Sequence, residues 1–82
     1  MKKAVALEYS EGLPAPIVTA TGKGRLAGVI ERMAVENGIE TVKMTGLADA
    51  LVELEPGSYI PEEYYQVIAE LLVFVYEVGA ER

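Results

Sequence analysis

The sequence predicts an α/β domain in which a small mixed sheet of about three strands packs with three helices. Short segments rich in β-branched residues alternate with longer segments whose apolar residues recur at helical spacing. The chain has 82 residues, enough for one hydrophobic core, so we expect a single domain over residues 1–82. Residues 64–78 carry apolar groups on nearly all sides, which indicates a helix that the rest of the chain covers.

Two strands are expected to form a hairpin near the N-terminus. Residues 3–9 alternate, with Val5 and Leu7 on one face, and residues 17–21 are mostly β-branched. The connection between them contains a glycine and two prolines, which is typical of a turn, and its shortness favours antiparallel pairing. A third strand is expected at residues 41–44, joined to the second strand through a helix and therefore parallel to it.

Two helices are expected in the middle of the chain. The first runs from Arg25 to about Asn37, which is followed by glycine, and both of these residues tolerate the left-handed conformation that ends a helix. A shorter helix is expected at about residues 46–54, with Thr45 as its N-cap.

The last helix is expected to begin near Pro61, because proline suits the first helical turn, and to end at Gly79. Glu62 and Glu63 lie at its start, where acidic side chains complement the positive end of the helix dipole. The residues of this helix that we assign to the core are Ile68, Leu71, Phe74 and Val75.

The composition excludes several classes of function. The chain has no cysteine and no histidine, so it lacks thiolate ligands and the commonest general base, and we expect neither a metal nor a cofactor. Its net charge of −6 disfavours nucleic acid and anionic membrane as partners. The longest uncharged run in the last helix, residues 71–76, is too short to span a bilayer, so we expect no membrane insertion.

A glycine-rich turn at residues 22–28 follows a strand and opens a helix, which is the context of a dinucleotide-binding turn. Its spacing is only approximate, and the next expected strand ends with Lys43 and Met44 instead of an acid that could bind a ribose hydroxyl. A tight strand-to-helix turn explains the same glycines. A small module that binds a nucleotide or anion at Gly22 to Gly28 stays as an alternative.

The loop Pro14-Ala15-Pro16 is apolar and is expected to be exposed. Taken by itself, it is explained by a rigid turn. Its functional alternative is one wall of a small apolar groove that binds a peptide.

Seven segments are informative when they are taken together in chain order: AVALEY at 4–9, APIV at 15–18, GKG at 22–24, ENGI at 36–39, LADAL at 47–51, IP at 60–61 and YQVIAELL at 65–72. This ordered set resembles the cytoplasmic domain of the FlhB family of flagellar and type III export proteins. The resemblance runs in register from about residue 4 to residue 78.

The resemblance implies a protein without enzymatic activity. Members of the family cleave themselves at an Asn-Pro-Thr-His motif just before the AVAL strand, but here those positions hold only Met1, Lys2 and Lys3. The chain therefore resembles a stand-alone copy of the fragment that follows cleavage. The family strand before the motif is also missing, and we expect an open sheet edge that the N-terminal part of a full-length FlhB could fill.

The resemblance also implies a site and a role. The family pocket, expected to recognise a short hydrophobic signal in rod and hook substrates, corresponds to Ala15, Pro16, Ala69 and Leu72. A cytoplasmic component of the export apparatus that controls substrate specificity is therefore expected. One departure is Asp49, where the family has a basic residue. A structural homo-oligomer that hides the last helix is the other alternative.

Overall fold

The sheet of this protein is an antiparallel hairpin with one irregularity. The computed structural model describes the backbone of residues 1–80 and the side chains of residues 1–75. Strand β1 (Lys3–Glu8) pairs with strand β2 (Ile17–Lys23), which confirms the predicted hairpin. The register shifts between Ala6 and Leu7, so Thr19 forms a bulge in β2, and its hydroxyl donates a hydrogen bond of 3.2 Å to the carbonyl of Ala6.

The bulge decides which residues share a face of the sheet. Before it, Ala6 pairs with Ala20, and Gly22 lies on the same face two residues further along β2. After it, Leu7 pairs with Val18 on the opposite face. Without the extra residue, Leu7 would face the polar Thr19 instead of Val18. One face is therefore lined by small residues, and the other contributes large side chains to the core.

Helix α1 (Arg25–Glu36) packs on the small-residue face. A Cβ atom at Gly22 would lie 2.8 Å from side-chain atoms of both Leu26 and Ile30, so glycine is required for this close approach. Gly24, just before the helix, has φ 60° and ψ −122°, a combination that only glycine adopts readily. The helix ends as predicted, with Asn37 as its C-cap and Gly38 at a positive φ of 67°.

The opposite face is covered by helix α2 (Thr45–Leu51) and helix α3 (Tyr65–Ala80), which follows a single 3-10 turn at Glu62–Tyr64. Thr45 is the first helical residue and not the predicted N-cap, because Met44 occupies that position. The last helix also continues past the predicted end, Gly79. The buried residues that form the centre of the core are Val18, Leu51, Ile60 and Ile68.

The predicted third strand at residues 41–44 is wrong. These residues are irregular and exposed, and none of their side chains is buried. Residues 57–60 occupy the second edge of β2 instead: the N–H of Val18 donates to the carbonyl of Ser58, and the N–H of Ile60 donates to the carbonyl of Pro16, both at 2.9 Å. Burial of Ile60 explains the preference, because pairing there also places a large side chain in the core.

Ion pairs join the helical layers to the strands and their ends. Asp49 of α2 pairs with Lys3 of β1 at 3.0 Å. The other pairs are Lys2 with Glu31 and Lys23 with Glu53. Within the described part of the chain, none of the helices combines the length and apolar character needed to cross a bilayer.

Candidate functional site

An apolar groove lies between the loop that precedes β2 and one side of α3. Its volume is about 310 Å³. We call it the main groove, and its lining consists of Tyr9, Pro14, Ala15, Pro16, Tyr65, Ile68, Ala69, Leu72 and Val73.

All four site residues predicted from the sequence lie in the main groove. Ala15 and Pro16 are buried and form part of its floor, and Ala15 is only 4% exposed. Ala69 is exposed and Leu72 is half-buried, one turn apart on α3. The fold therefore brings together Pro16 and Ala69, which are 53 positions apart in the sequence. Their role in binding stays a prediction.

The loop of the groove is less exposed than we expected. Only Pro14 is exposed, whereas Ala15 and Pro16 are buried. The carbonyl of Pro16 accepts the N–H of Ile60, which fixes the end of the loop against the segment that flanks β2. Two prolines and this hydrogen bond therefore restrict the conformations that the loop can adopt.

Sequence reasoning missed the two tyrosines of the groove. Tyr9 follows β1 and Tyr65 is the first residue of α3, and both are exposed although they line an apolar site. Tyrosine combines a large apolar ring with a hydroxyl that stays in water, so it is common where one protein binds another. Their positions at the ends of two elements were visible in the sequence, but their convergence depends on how those elements pack.

The chemical character of the groove is apolar. None of the residues in its lining carries a charge at neutral pH. The one described carboxyl with a clearly shifted pKa is Glu53, which lies outside the lining: a hydrogen bond from Lys23, and then the positive charge of Lys23, lower its pKa. The arrangement therefore favours an uncharged apolar ligand and provides no acid–base pair.

The turn at Gly22 to Gly28 has a structural explanation. The space beside Gly22 is filled by Leu26 and Ile30, and Gly28 lies within α1. A phosphate-binding turn needs backbone N–H groups that a ligand can approach. Helix packing therefore accounts for the first glycine of this turn, and no observation favours a nucleotide.

A family model described as the FlhB, HrpN, YscU and SpaS family matches residues 1–75. The chain belongs to this family. FlhB of Buchnera aphidicola (subspecies Schizaphis graminum) is 40% identical over 77 residues, which are 92% of this chain and 20% of that protein. The protein YlqH of Bacillus subtilis is 37% identical over 95% of this chain and 85% of its own length.

Solved structures confirm the fold that the resemblance implied. The PscU C-terminal domain matches with a TM-score of 0.84 and 33% identity, over 89% of this chain and 95% of that domain. A mutated EscU/SpaS C-terminal domain matches with a TM-score of 0.87 and 30% identity, over 92% and 95%. This FlhB-family chain spans about one fifth of the length of the FlhB proteins that it matches.

Proposed function

We propose that this chain is a non-enzymatic component of a flagellar or type III protein export apparatus, and that its main groove binds a short apolar segment of an export substrate. The observation that carries the proposal is the convergence of Ala15, Pro16, Ala69 and Leu72 on one uncharged groove. Membership of the FlhB family supports the setting, a cytoplasmic position beside the export gate.

The shape of the groove suits one or two aliphatic side chains. Its volume of about 310 Å³ is open beside Ala69, the smallest side chain on this side of α3, and a larger residue there would fill it. Full burial of one leucine or valine side chain contributes roughly 1.5–3 kcal/mol. Such a contact supports weak and reversible binding, which suits a component that must release each substrate.

The finer role that we propose is control of substrate specificity. Early substrates, of the rod and hook type, present an apolar signal that occupies the groove. Substrates without such a signal leave it empty. The loop that forms the floor is held by the hydrogen bond between Pro16 and Ile60. The substrate signal therefore binds a preformed groove, and the domain needs no large rearrangement to accept it.

A peptide titration tests this function. A labelled N-terminal peptide of a hook protein should bind the wild-type chain, and Ala69→Glu should weaken binding at least about tenfold because it places a charge in an apolar site. Ala50→Glu is the matched control: Ala50 is exposed on α2 and lies outside the groove. Both variants should keep the wild-type circular dichroism spectrum.

Two results would contradict the proposal. One is a wild-type chain that binds no such peptide at high micromolar concentration. The other is an equal loss of binding in the Ala50 control. Pro16 is a poorer test position than Ala69, since it is buried and its carbonyl accepts a hydrogen bond from Ile60, so a charged residue there also threatens the fold.

The outer edge of β1 is the second contact that we propose. Within residues 1–80, β2 pairs with one side of β1 and no strand pairs with the other. An unpaired edge can accept one more strand through backbone hydrogen bonds. The N-terminal part of a full-length FlhB is the proposed donor, and labelled FlhB without its own C-terminal fragment should bind this chain. Lack of binding in that titration counts against this partner and leaves the groove proposal standing.

A further inference from the structure

Ala15 combines two features that rarely occur together. The residue is only 4% exposed, yet its backbone N–H and C=O have no hydrogen-bond partner among the residues that the structure describes. Its N–H is also the only backbone donor of residues 14–16, since both of its neighbours are proline. Buried backbone groups are paired in the great majority of cases, so these two unpaired groups need an explanation.

The direction of the two groups follows from the alternation of an extended backbone. The carbonyl of Pro16 and both backbone groups of Val18 face residues 57–60. Ile17, between them, pairs with the last residue of β1 on the other side. Ala15 precedes a proline and does not have a positive φ, so it continues the extended chain. Its N–H and C=O therefore point to the same side as those of Ile17, which is the side of β1.

The hairpin is already open on that side. β1 ends at Glu8, and Tyr9, the next residue, lines the main groove together with Ala15. The hydroxyls of Tyr9 and Tyr65 also lack a hydrogen bond within the described part of the chain. An otherwise apolar groove therefore presents a free backbone donor, a free backbone acceptor and two free hydroxyls to a ligand.

We propose that the main groove binds its ligand as an extended peptide segment, one residue of which pairs with Ala15 as in an antiparallel sheet. That ligand residue donates its N–H to the carbonyl of Ala15 and accepts the N–H of Ala15. An apolar side chain of the same segment occupies the space beside Ala69. This inference rests on the proposed function of the main groove and specifies the conformation of the substrate signal. It does not involve the outer edge of β1, since Ala15 belongs to the loop before β2.

The unpaired groups of Ala15 select an extended peptide over other apolar ligands. A helical segment uses its N–H and C=O groups in its own hydrogen bonds and has none to offer along its middle. A small apolar molecule has no such groups, so it would leave Ala15 covered and unpaired, which weakens binding. An extended segment has free N–H and C=O groups on every second residue along each side, so one residue satisfies both groups of Ala15.

NMR of the labelled chain tests the pairing from the side of the protein. On saturation with the N-terminal peptide of a hook protein, the amide proton of Ala15 should move downfield, because a new hydrogen bond deshields it. The amide proton of Val18 is the internal control: it already donates to Ser58, lies outside the groove and should move less. In Ala69→Glu, which should not bind the peptide, the amide proton of Ala15 should keep its position in the free chain.

An ester scan of the same peptide tests the pairing from the side of the ligand. Each amide is replaced in turn by an ester, which removes one N–H and keeps the side chain. Binding to the wild-type chain, measured by fluorescence anisotropy, should weaken about tenfold at the one position that donates to Ala15. A smaller loss is expected at the next position, because an ester there weakens the carbonyl that accepts the N–H of Ala15.

Three results would overturn this inference and leave the proposed function standing. The first is a peptide that binds in the main groove but tolerates an ester at every position. The second is a loss of binding spread evenly over many consecutive positions, which is the behaviour of a helical ligand. The third is a saturated complex in which the amide proton of Ala15 does not move. A wild-type chain that binds no peptide at all contradicts the proposed function, and the inference fails with it.

Discussion

The two sides of α3 differ in how their apolar surface is built. The main groove has a floor of buried residues, a loop tied to the neighbouring segment by a hydrogen bond, and no charge in its lining. The opposite side of α3 carries a second groove, lined by Val42, Met44, Val67, Glu70, Leu71 and Phe74, and its wall at residues 41–44 is irregular and exposed. The apolar surface is therefore partly buried and uncharged on one side of α3, whereas on the other side it lies in water beside a charged side chain.

The largest expected difference between the two sides is in stability. Ile68 is 1% exposed and Phe74 is 53% exposed, although both are large apolar residues of the same helix. Ile68→Ala should lower the free energy of unfolding by about 2–5 kcal/mol, because it leaves a cavity in the core. Phe74→Ala should change it by about 0.5 kcal/mol or less at concentrations where the chain is monomeric.

Urea denaturation of both variants measures this contrast. Equal losses of stability would show that Phe74 belongs to the core and that the two sides of α3 do not differ.

Two glycines where α1 packs on the other face of the sheet also differ in their surroundings: the space beside Gly22 is filled by side chains, and the space beside Gly28 is open. A Cβ atom at Gly22 would meet two side chains at 2.8 Å, whereas nothing lies within 4 Å of a Cβ atom at Gly28. Gly22→Ala should destabilise the chain by about 1–3 kcal/mol. Gly28→Ala should stabilise it by up to about 1 kcal/mol, because alanine favours the helix. Thermal unfolding that shifts in the same direction for both variants would contradict the packing of α1.

A substitution that fills the main groove should weaken ligand binding without lowering the stability of the fold. Ala69→Leu places a larger apolar residue in the open space beside Ala69, and we expect at least about tenfold weaker binding of the hook-type peptide. Gln66→Leu is the control, since Gln66 is exposed on α3 and lines neither groove. Binding that is unchanged in Ala69→Leu, measured by fluorescence anisotropy, would exclude this part of the groove as the site.

The smallest effect concerns the exposed pair of Lys23 and Glu53. The folded state lowers the pKa of Glu53 below its ordinary value of 4.5, so the pair stabilises the fold above that pH. Its contribution is lost as the pH falls through the lower, folded-state pKa. Below pH 4.5, the free energy of unfolding of Glu53→Gln should therefore fall slightly less steeply with falling pH than that of the wild-type chain. The substitution should leave both grooves unchanged. An acid unfolding curve identical to that of the wild-type chain would show that the pair has no influence.

Much of the fold could be predicted because the signals were local. Alternation and turn residues indicated the hairpin, and the Asn-Gly pair indicated the end of α1. The four groove residues came from resemblance to the family, since no local pattern connects Pro16 with Ala69. The burial of Ala15 and the convergence of Tyr9 with Tyr65 could not be predicted, because each depends on contacts between distant segments.

Propensity and periodicity were enough to predict one hairpin and three helices, the last of which is too apolar to stand alone. The segment that pairs with the second edge of β2 depends instead on contacts between distant parts of the chain. Residues 41–44 have the stronger strand propensity, but residues 57–60 bring Ile60 into the core, and burial outweighs propensity. The same packing decided which residues of α3 are buried: the core is centred on Ile68, and Val67, Leu71 and Leu72 pack around it, whereas Phe74, which we predicted to lie in the core, stays exposed.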